Sequence, residues 1–177
     1  RGEEGVATGI AQCGKDLVTI LDFEKIVAEI APETGIQLDE ISRLGQRERI
    51  DSPILIAEDS ILLTKMIEAS LKKAGYENLT FKNNGQEAWD YLNEIRNDSD
   101  FADKVSLIIT DIEMPKLDGL EMSKEIRKIS PDTPIILTTA YNEDAQVEEG
   151  KRIGVSAYLL KPVDYADLDG VIATLFK

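Results

Sequence analysis

No histidine occurs in the 177 residues. Its absence excludes Ser-His-Asp and Cys-His catalysis, histidine-ligated zinc and a phosphohistidine carried by this chain itself, leaving carboxylates, hydroxyls, lysine or a hard metal for any chemistry. Cysteine is nearly as scarce. Cys13 stands alone, so no intrachain disulfide can form, and a reducing compartment is expected. In "AQCGKDL" it is either a small apolar strand residue or a reactive thiol, and no neighbouring histidine favours the second. No apolar run approaches the ~20 residues of a membrane span and no signal-peptide pattern opens the chain, which predicts a cytoplasmic protein without membrane insertion. Basic residues are few, 20 Lys and Arg against 34 Asp and Glu, for a net charge of −14. That balance argues against a nucleic-acid partner, whose phosphates need clustered cations, and favours a protein or small-molecule partner. The chain begins at Arg1 rather than Met, as expected of a piece of a longer polypeptide.

A hydrophobic content of 42% over this length suits one domain plus an appendage. From residue 53 short β-branched runs alternate with segments of helical period: "PILIAE" (53–58), "LTFK" (79–82), "VSLIIT" (105–110), "PIILTT" (134–139) and "SAYLL" (156–160). Between them fall apolar stripes at Leu63, Ile67, Leu71 and Ala74, at Ala88, Leu92 and Ile95, and at Met122, Ile126 and Ile129. A last stripe runs through Leu168, Val171, Ile172 and Leu175. Gly75 marks a helix end, Asn84 with Glu87 a capping pair, and Asp164 a cap for the last helix. Five such units with near-continuous apolar strands predict an α/β fold: a doubly wound, flavodoxin-like parallel sheet of five strands with helices on both faces. The segment "YNEDAQVEEGKRIG" offers only Ala145, Val147 and Ile153 for burial. Its helix is expected to be weakly anchored, either as a conformational switch or as a solvated surface helix.

Residues 1–52 have another texture. "ATGIAQCGKDLVTILDFEKIV" holds two strand-like runs around Gly14, a β-hairpin-like element, and the polar stretch after it suggests a linker with a short helix near Asp39–Leu44. The organisation predicted is 1–31 as an N-terminal remnant, 32–52 as linker and 53–177 as the main domain. Two strands bury no core by themselves.

In a parallel sheet ligands bind beyond the carboxyl ends of the strands, near the switch in strand order. Glu58 and Asp59 end the first run, Asp111 the third, Thr139 the fourth, and Lys161 and Pro162 the fifth. Three acids from neighbouring strands raise one another's pKa values unless a cation compensates, and Mg²⁺, with its preference for oxygen ligands, suits them. With a hydroxyl from Thr139 and a charge from Lys161, the set suits a phosphoryl group on Asp111. Taken singly, an acid at a strand end is usually a turn or cap residue, a Thr pair usually a strand former and a Lys before Pro usually a surface residue; their joint order at successive strand ends carries the argument.

"ILIAEDS", "LIITDIEMPKLDG", "PIILTTA" and "AYLLKP" resemble the response-regulator receiver domain of two-component signalling. The resemblance implies that Asp111 is the phospho-acceptor, that Asp59 ligates Mg²⁺ directly, that Glu58 acts on it through water, and that Glu113 contributes its main-chain carbonyl. It further implies that Thr139 and Lys161 bind phosphoryl oxygens, that the side chains of Glu113 and Tyr141 tune dephosphorylation, and that the bond from Lys161 to Pro162 is cis. Tyr158 matches the switch aromatic that moves with Thr139, or is an ordinary strand aromatic. Glu58 departs from the family's commoner Asp. "GIAQCGKDLVTILDFEKIV" is similar to the closing strands of a CheW-like coupling domain, and that order, coupling domain then receiver, is the one in CheV-type chemotaxis proteins. The implied partners are a CheA-type histidine kinase as phosphodonor and a chemoreceptor complex, with a dimer through the leftover strands as an option. The implied role is a phosphorylated switch, not a turnover enzyme. The alternatives are a stand-alone regulator with an unrelated extension, an assembly scaffold in which the N-terminal strands dominate, and a haloacid-dehalogenase-type phosphatase. The last wants a second Asp where Glu113 stands and a Thr or Val where Pro115 stands.

Overall fold

The computed structural model describes residues 7–13, 16–21, 50–161, 163 and 165–176. The chain divides into two compact units, Arg1–Glu40 and Ile41–Lys177. In the first, β1 (Ala7–Cys13) and β2 (Asp16–Leu21) form an antiparallel pair with Cys13 opposite Asp16 and a register irregularity between Ala7 and Gly9. This is the hairpin that the two runs predict. The turn expected at Gly14, the helix expected near 39–44, most of the expected linker, the cis bond expected at Pro162 and the cap expected at Asp164 lie outside the described residues.

The second unit carries the parallel sheet. Its strands are β3 (Ile54–Ala57), β4 (Leu79–Lys82), β5 (Leu107–Asp111), β6 (Ile135–Thr139) and β7 (Ala157–Leu160), in the order β4-β3-β5-β6-β7. The helices are α1 (Ile61–Lys73), α2 (Gly85–Ile95), the single turn α3 (Phe101–Lys104), α4 (Gly119–Ile129), α5 (Asp144–Ile153) and α6 (Tyr165–Leu175). The three inner strands are buried along their length. This explains why they are written as unbroken apolar runs: alternate residues enter opposite cores. Ile54 and Ile56 join Ile67 and Leu71 of α1 and Leu168 and Ile172 of α6 on one face. Leu55 and Ala57 join Ala88 and Leu92 of α2 and Met122 and Ile126 of α4 on the other. Each of the isoleucine, leucine and methionine side chains contributes on the order of 1.5–3 kcal/mol by leaving water.

Local signals set the helix ends. Ser60, Asn84 and Asp118 accept the backbone N–H of Leu63, Glu87 and Glu121 at 3.3, 2.9 and 2.9 Å, so three helices start on side-chain caps. Glu87 answers from within its helix by accepting the Asn83 N–H at 3.2 Å, one residue before the cap. Gly75 and Gly154 take φ of 99° and 82°, ending α1 and α5 in the left-handed conformation that favours glycine. Helix α5 differs from the other helices longer than one turn: of its ten residues only Gly150 is buried, Ala145 is exposed and Val147 and Ile153 are half-buried. The weak anchoring expected of this segment is what the structure has.

Candidate functional site

Strand order reverses between β3 and β5, since the chain steps from β3 outward to β4 and then returns to β5 on the other side. The carboxyl ends of these two strands therefore meet at the switch point where ligands bind in such sheets. Glu58 and Asp59 follow β3 and Asp111 is the last residue of β5. One carboxylate oxygen from each of the three lies within 4.8 Å of the others. Glu58 and Asp111 are buried and Asp59 is exposed. Lys161, just past β7, reaches across β6 to place Nζ 2.9 Å from Asp111 Oδ2 and 3.0 Å from Glu58 Oε2. Glu58 Oε1 accepts the Ser60 N–H at 3.0 Å, which ties the acid to the start of α1.

Burial dominates the electrostatics. Desolvation raises the Asp111 carboxyl to about 7, against the attraction of Lys161 and with help from the charge of Glu58. Desolvation raises Glu58 as well, opposed by the Ser60 N–H and Lys161. Lys161 pays a desolvation cost that its two carboxylates more than offset, so its pKa rises. One lysine cannot balance three acids. Asp111 Oδ1 is buried and has no hydrogen-bond partner, a costly state for a carboxylate oxygen. An orphaned oxygen beside two further carboxylates is a donor set that fits a hard divalent cation.

A second cluster adjoins the first. Thr139, fully buried at the end of β6, donates its hydroxyl to Glu113 Oε1, and the Ala140 N–H reaches Glu113 Oε2 at 3.3 Å. Burial works against the charge of Glu113, yet these two donors hold its carboxyl below the usual carboxylate range. The Tyr141 N–H donates to Thr139 Oγ1 at 3.1 Å while the Tyr141 ring is exposed. The Tyr158 hydroxyl, on β7, lies 3.2 Å from the Tyr141 carbonyl and 3.1 Å from Gln146 Oε1. Gln146 Oε1 is also 3.4 Å from Thr139 Oγ1. The residues predicted from sequence thus fall into two adjacent groups: Glu58, Asp59, Asp111 and Lys161, then Glu113, Thr139, Tyr141 and Tyr158.

Two participants escaped the sequence pattern. Gln146 was one polar residue in a polar helix and carried no signal. Gly119, the last residue of "LIITDIEMPKLDG", is where α4 begins, and its place in the chain carried no sign of a second part. The turn before it places Lys116 at φ 72°, and Gly119 serves close approach. A Cβ there would stand 2.2 Å from the Asp111 carbonyl oxygen. Likewise a Cβ on Gly85 would stand 1.9 Å from the Leu117 carbonyl oxygen, so α2 presses on the loop that follows Asp111.

Comparison with known proteins agrees with this geometry. Residues 54–173 match the family model of the response regulator receiver domain. The chain is 32% identical over 111 residues to a Campylobacter jejuni chemotaxis protein CheY homolog, covering 62% of this chain and 80% of that protein. It is 30% identical over 164 residues to the Helicobacter pylori chemotaxis protein CheV2, covering 90% of this chain and 50% of that one. The osmosensing histidine protein kinase SLN1 of Saccharomyces cerevisiae is 31% identical over 167 residues, but the aligned part is only 12% of that kinase. The structure of the response regulator CheY4 of Vibrio cholerae superposes with a TM-score of 0.60 at 27% identity, over 71% of this chain and 99% of that one. The chain belongs to the response regulator receiver domain family of two-component signalling, whose members take phosphate from histidine kinases.

Proposed function

We propose that this receiver is a phospho-accepting switch in chemotaxis signalling, with Asp111 as acceptor and Mg²⁺ as cofactor. The observation that carries the reading is the state of Asp111: one carboxylate oxygen on Lys161, the other buried and unpartnered, with Glu58 and Asp59 alongside. Asp59 and Asp111 would hold the ion directly, Glu58 would act through water and Glu113 through its main-chain carbonyl. Mg²⁺ supplies charge neutralisation for the carboxylates and the incoming phosphoryl oxygens.

The residues' own parts follow from placement. A carboxylate oxygen of Asp111 bonds to phosphorus as the P–N bond of a donor phosphohistidine breaks, and the imidazole leaves with the electron pair. Lys161 balances charge on the acceptor, and the Thr139 hydroxyl receives a phosphoryl oxygen. In discharge, water attacks phosphorus, the bond to Asp111 breaks, and inorganic phosphate leaves with the carboxylate restored. The side chains of Glu113 and Tyr141 border that path and set its rate. Discharge restores the resting carboxylate, and nothing further happens until a kinase recharges it, so the chain acts as a switch and not as a turnover enzyme.

The finer reading is a CheV-type protein in the cytoplasm: β1 and β2 belong to a CheW-like coupling domain that contacts a chemoreceptor complex, and the donor is a CheA-type kinase. Likeness to CheV2 over 90% of this chain supports it. Pairing of chains through the exposed edges of the N-terminal strands is the dimer option. Family membership sets aside the phosphatase reading. Acetyl phosphate with Mg²⁺ should phosphorylate the wild-type chain, measured by intact mass, and Asp111→Asn should stay unmodified. Equal modification of both would overturn the assignment of Asp111.

A further inference from the structure

The two donors that converge on Glu113 are a strand-end hydroxyl and the next backbone N–H, both fixed by the sheet. The Thr139 carbonyl accepts the Lys161 N–H at 2.7 Å and the Thr138 carbonyl accepts the Ile112 N–H at 2.9 Å, so the end of β6 is held from both sides. The Tyr141 N–H occupies a lone pair of Thr139 Oγ1, which leaves its single proton to choose an acceptor. Glu113 Oε1 takes it, and the alternative, Gln146 Oε1, stands at 3.4 Å. With the Ala140 N–H on Oε2 at 3.3 Å, the carboxylate spans both donors. A hydroxyl and an amide N–H converging on anionic oxygens form an oxyanion seat, and it lies beside Asp111, which pairs with Thr138 across β5 and β6.

We infer that Glu113 is a tethered anion occupying the seat that a phosphoryl group on Asp111 must enter, so that modification of Asp111 requires Glu113 to be expelled from Thr139 and Ala140. This rests on Asp111 being the acceptor. It assigns Glu113 a role in the resting state, beyond an effect on discharge: the seat is filled from within, and free oxyanions and weak analogues are resisted. Expulsion also frees the Thr139 proton. An incoming oxygen takes it, so the Thr139–Gln146 approach and the Tyr158–Gln146 bond report on the exchange.

Beryllofluoride with Mg²⁺, which bonds to an acceptor carboxylate without turnover, provides the test. Binding would be followed by the amide resonance of Ala140 in the full chain, for wild type, Glu113→Ala and Glu113→Asp. Asp keeps the charge but, one methylene shorter, does not span both donors. The half-saturating beryllofluoride concentration should fall about tenfold in both variants, the scale of one lost charge-assisted hydrogen bond in competition. The Ala140 resonance should shift in both variants before any beryllofluoride is added. If Glu113→Asp behaves as wild type while Glu113→Ala binds tighter, charge alone matters and the seat is overturned. Equal binding by all three overturns it too. Should wild type fail to take up beryllofluoride at Asp111, the acceptor assignment falls first and this inference with it.

Discussion

Lys161 Nζ stands 2.9 Å from Asp111 Oδ2, and the same nitrogen is 3.0 Å from Glu58 Oε2. The lysine is four-fifths covered and both acids almost wholly so. It is therefore the internal counter-charge of the site as well as a phosphoryl ligand in waiting. Lys161→Met would leave two buried carboxylates facing one another. Breaking a buried pair costs roughly 3–5 kcal/mol, and the lower end applies because Asp111 can take up a proton. Urea unfolding in chelator at pH 8 should show a loss of about 3 kcal/mol, and added Mg²⁺ should recover more stability in the variant than in wild type. No loss in chelator would mean that the pair does not hold the site together.

Asp111 makes the stability of the metal-free domain depend on pH in an unusual direction. Its folded pKa, about 7, lies above the ordinary carboxylate value of 3.8, so between these values the folded state binds more protons than the unfolded one. Stability accordingly falls as pH rises from about 4 to about 7 and then levels off. Glu58 shifts in the same direction. Lys161 shifts upward from 10.5 and is charged in both states throughout this window, so it adds no slope there. Thermal melts in chelator between pH 5 and 8 should show the decline, and Asp111→Asn should flatten it. Mg²⁺ competes with the same proton, so its affinity should weaken below about pH 7, by at most tenfold per pH unit for one proton displaced. A Mg²⁺ affinity constant from pH 5 to 8 would refute the coupling.

Gly119→Ala tests how closely α4 supports the acceptor. The new Cβ would meet the Asp111 carbonyl oxygen at 2.2 Å, its carbonyl carbon at 2.9 Å and the Ile112 Cα at 3.1 Å. All three are backbone atoms, so no side chain can swing aside. Overpacking of this kind costs roughly 1–3 kcal/mol, and relief must move either the first turn of α4 or Asp111 itself. Both a lowered unfolding midpoint and weaker Mg²⁺ binding are expected. An alanine variant with unchanged stability and Mg²⁺ affinity would show that the approach is not tight.

These cases show where the sequence was legible. Ile54–Ala57 and Ile135–Thr139 stood out because inner strands bury both faces and so tolerate few polar residues. Asp111 stood out because such a run ended on an acid. The one-turn helix Phe101–Lys104 is too short for a period to register. The part Gly119 plays was not legible because a glycine needed for close approach between backbones leaves the same mark in a sequence as one needed for a positive φ. Gln146 was invisible for another reason: its partners, Thr139 and Tyr158, lie on different strands, and nothing in "NEDAQVEEG" distinguishes a bridging amide from a solvated one. The seat on Thr139 and Ala140 likewise depends on where the Glu113 side chain points, which spacing does not encode.

Helix α5 is held by polar ties where its neighbours are held by core side chains, and Arg127 supplies the ties at its carboxyl end. From α4, Arg127 donates to the Ile153 carbonyl at 3.2 Å and the Gly154 carbonyl at 2.8 Å, and also to Ser130 and Thr133 carbonyls at 3.3 and 2.8 Å. Its guanidinium is partly desolvated, which lowers its pKa, but an arginine remains charged. Four carbonyls on two loops around one planar group make a clamp that Lys cannot reproduce, because an ammonium lacks the fork. Since α5 buries only Gly150, little apolar contact compensates when the clamp is removed. Arg127→Lys should cost roughly 2 kcal/mol, within the range for hydrogen bonds to a charged group. It should also raise amide exchange at Gly154 and Val155, whose N–H groups close the helix on Gly150 at 3.0 and 3.1 Å, while exchange in β5 changes only with global stability. Uniform acceleration across the sheet and α5 alike would mean that Arg127 supports the whole fold and not this one helix.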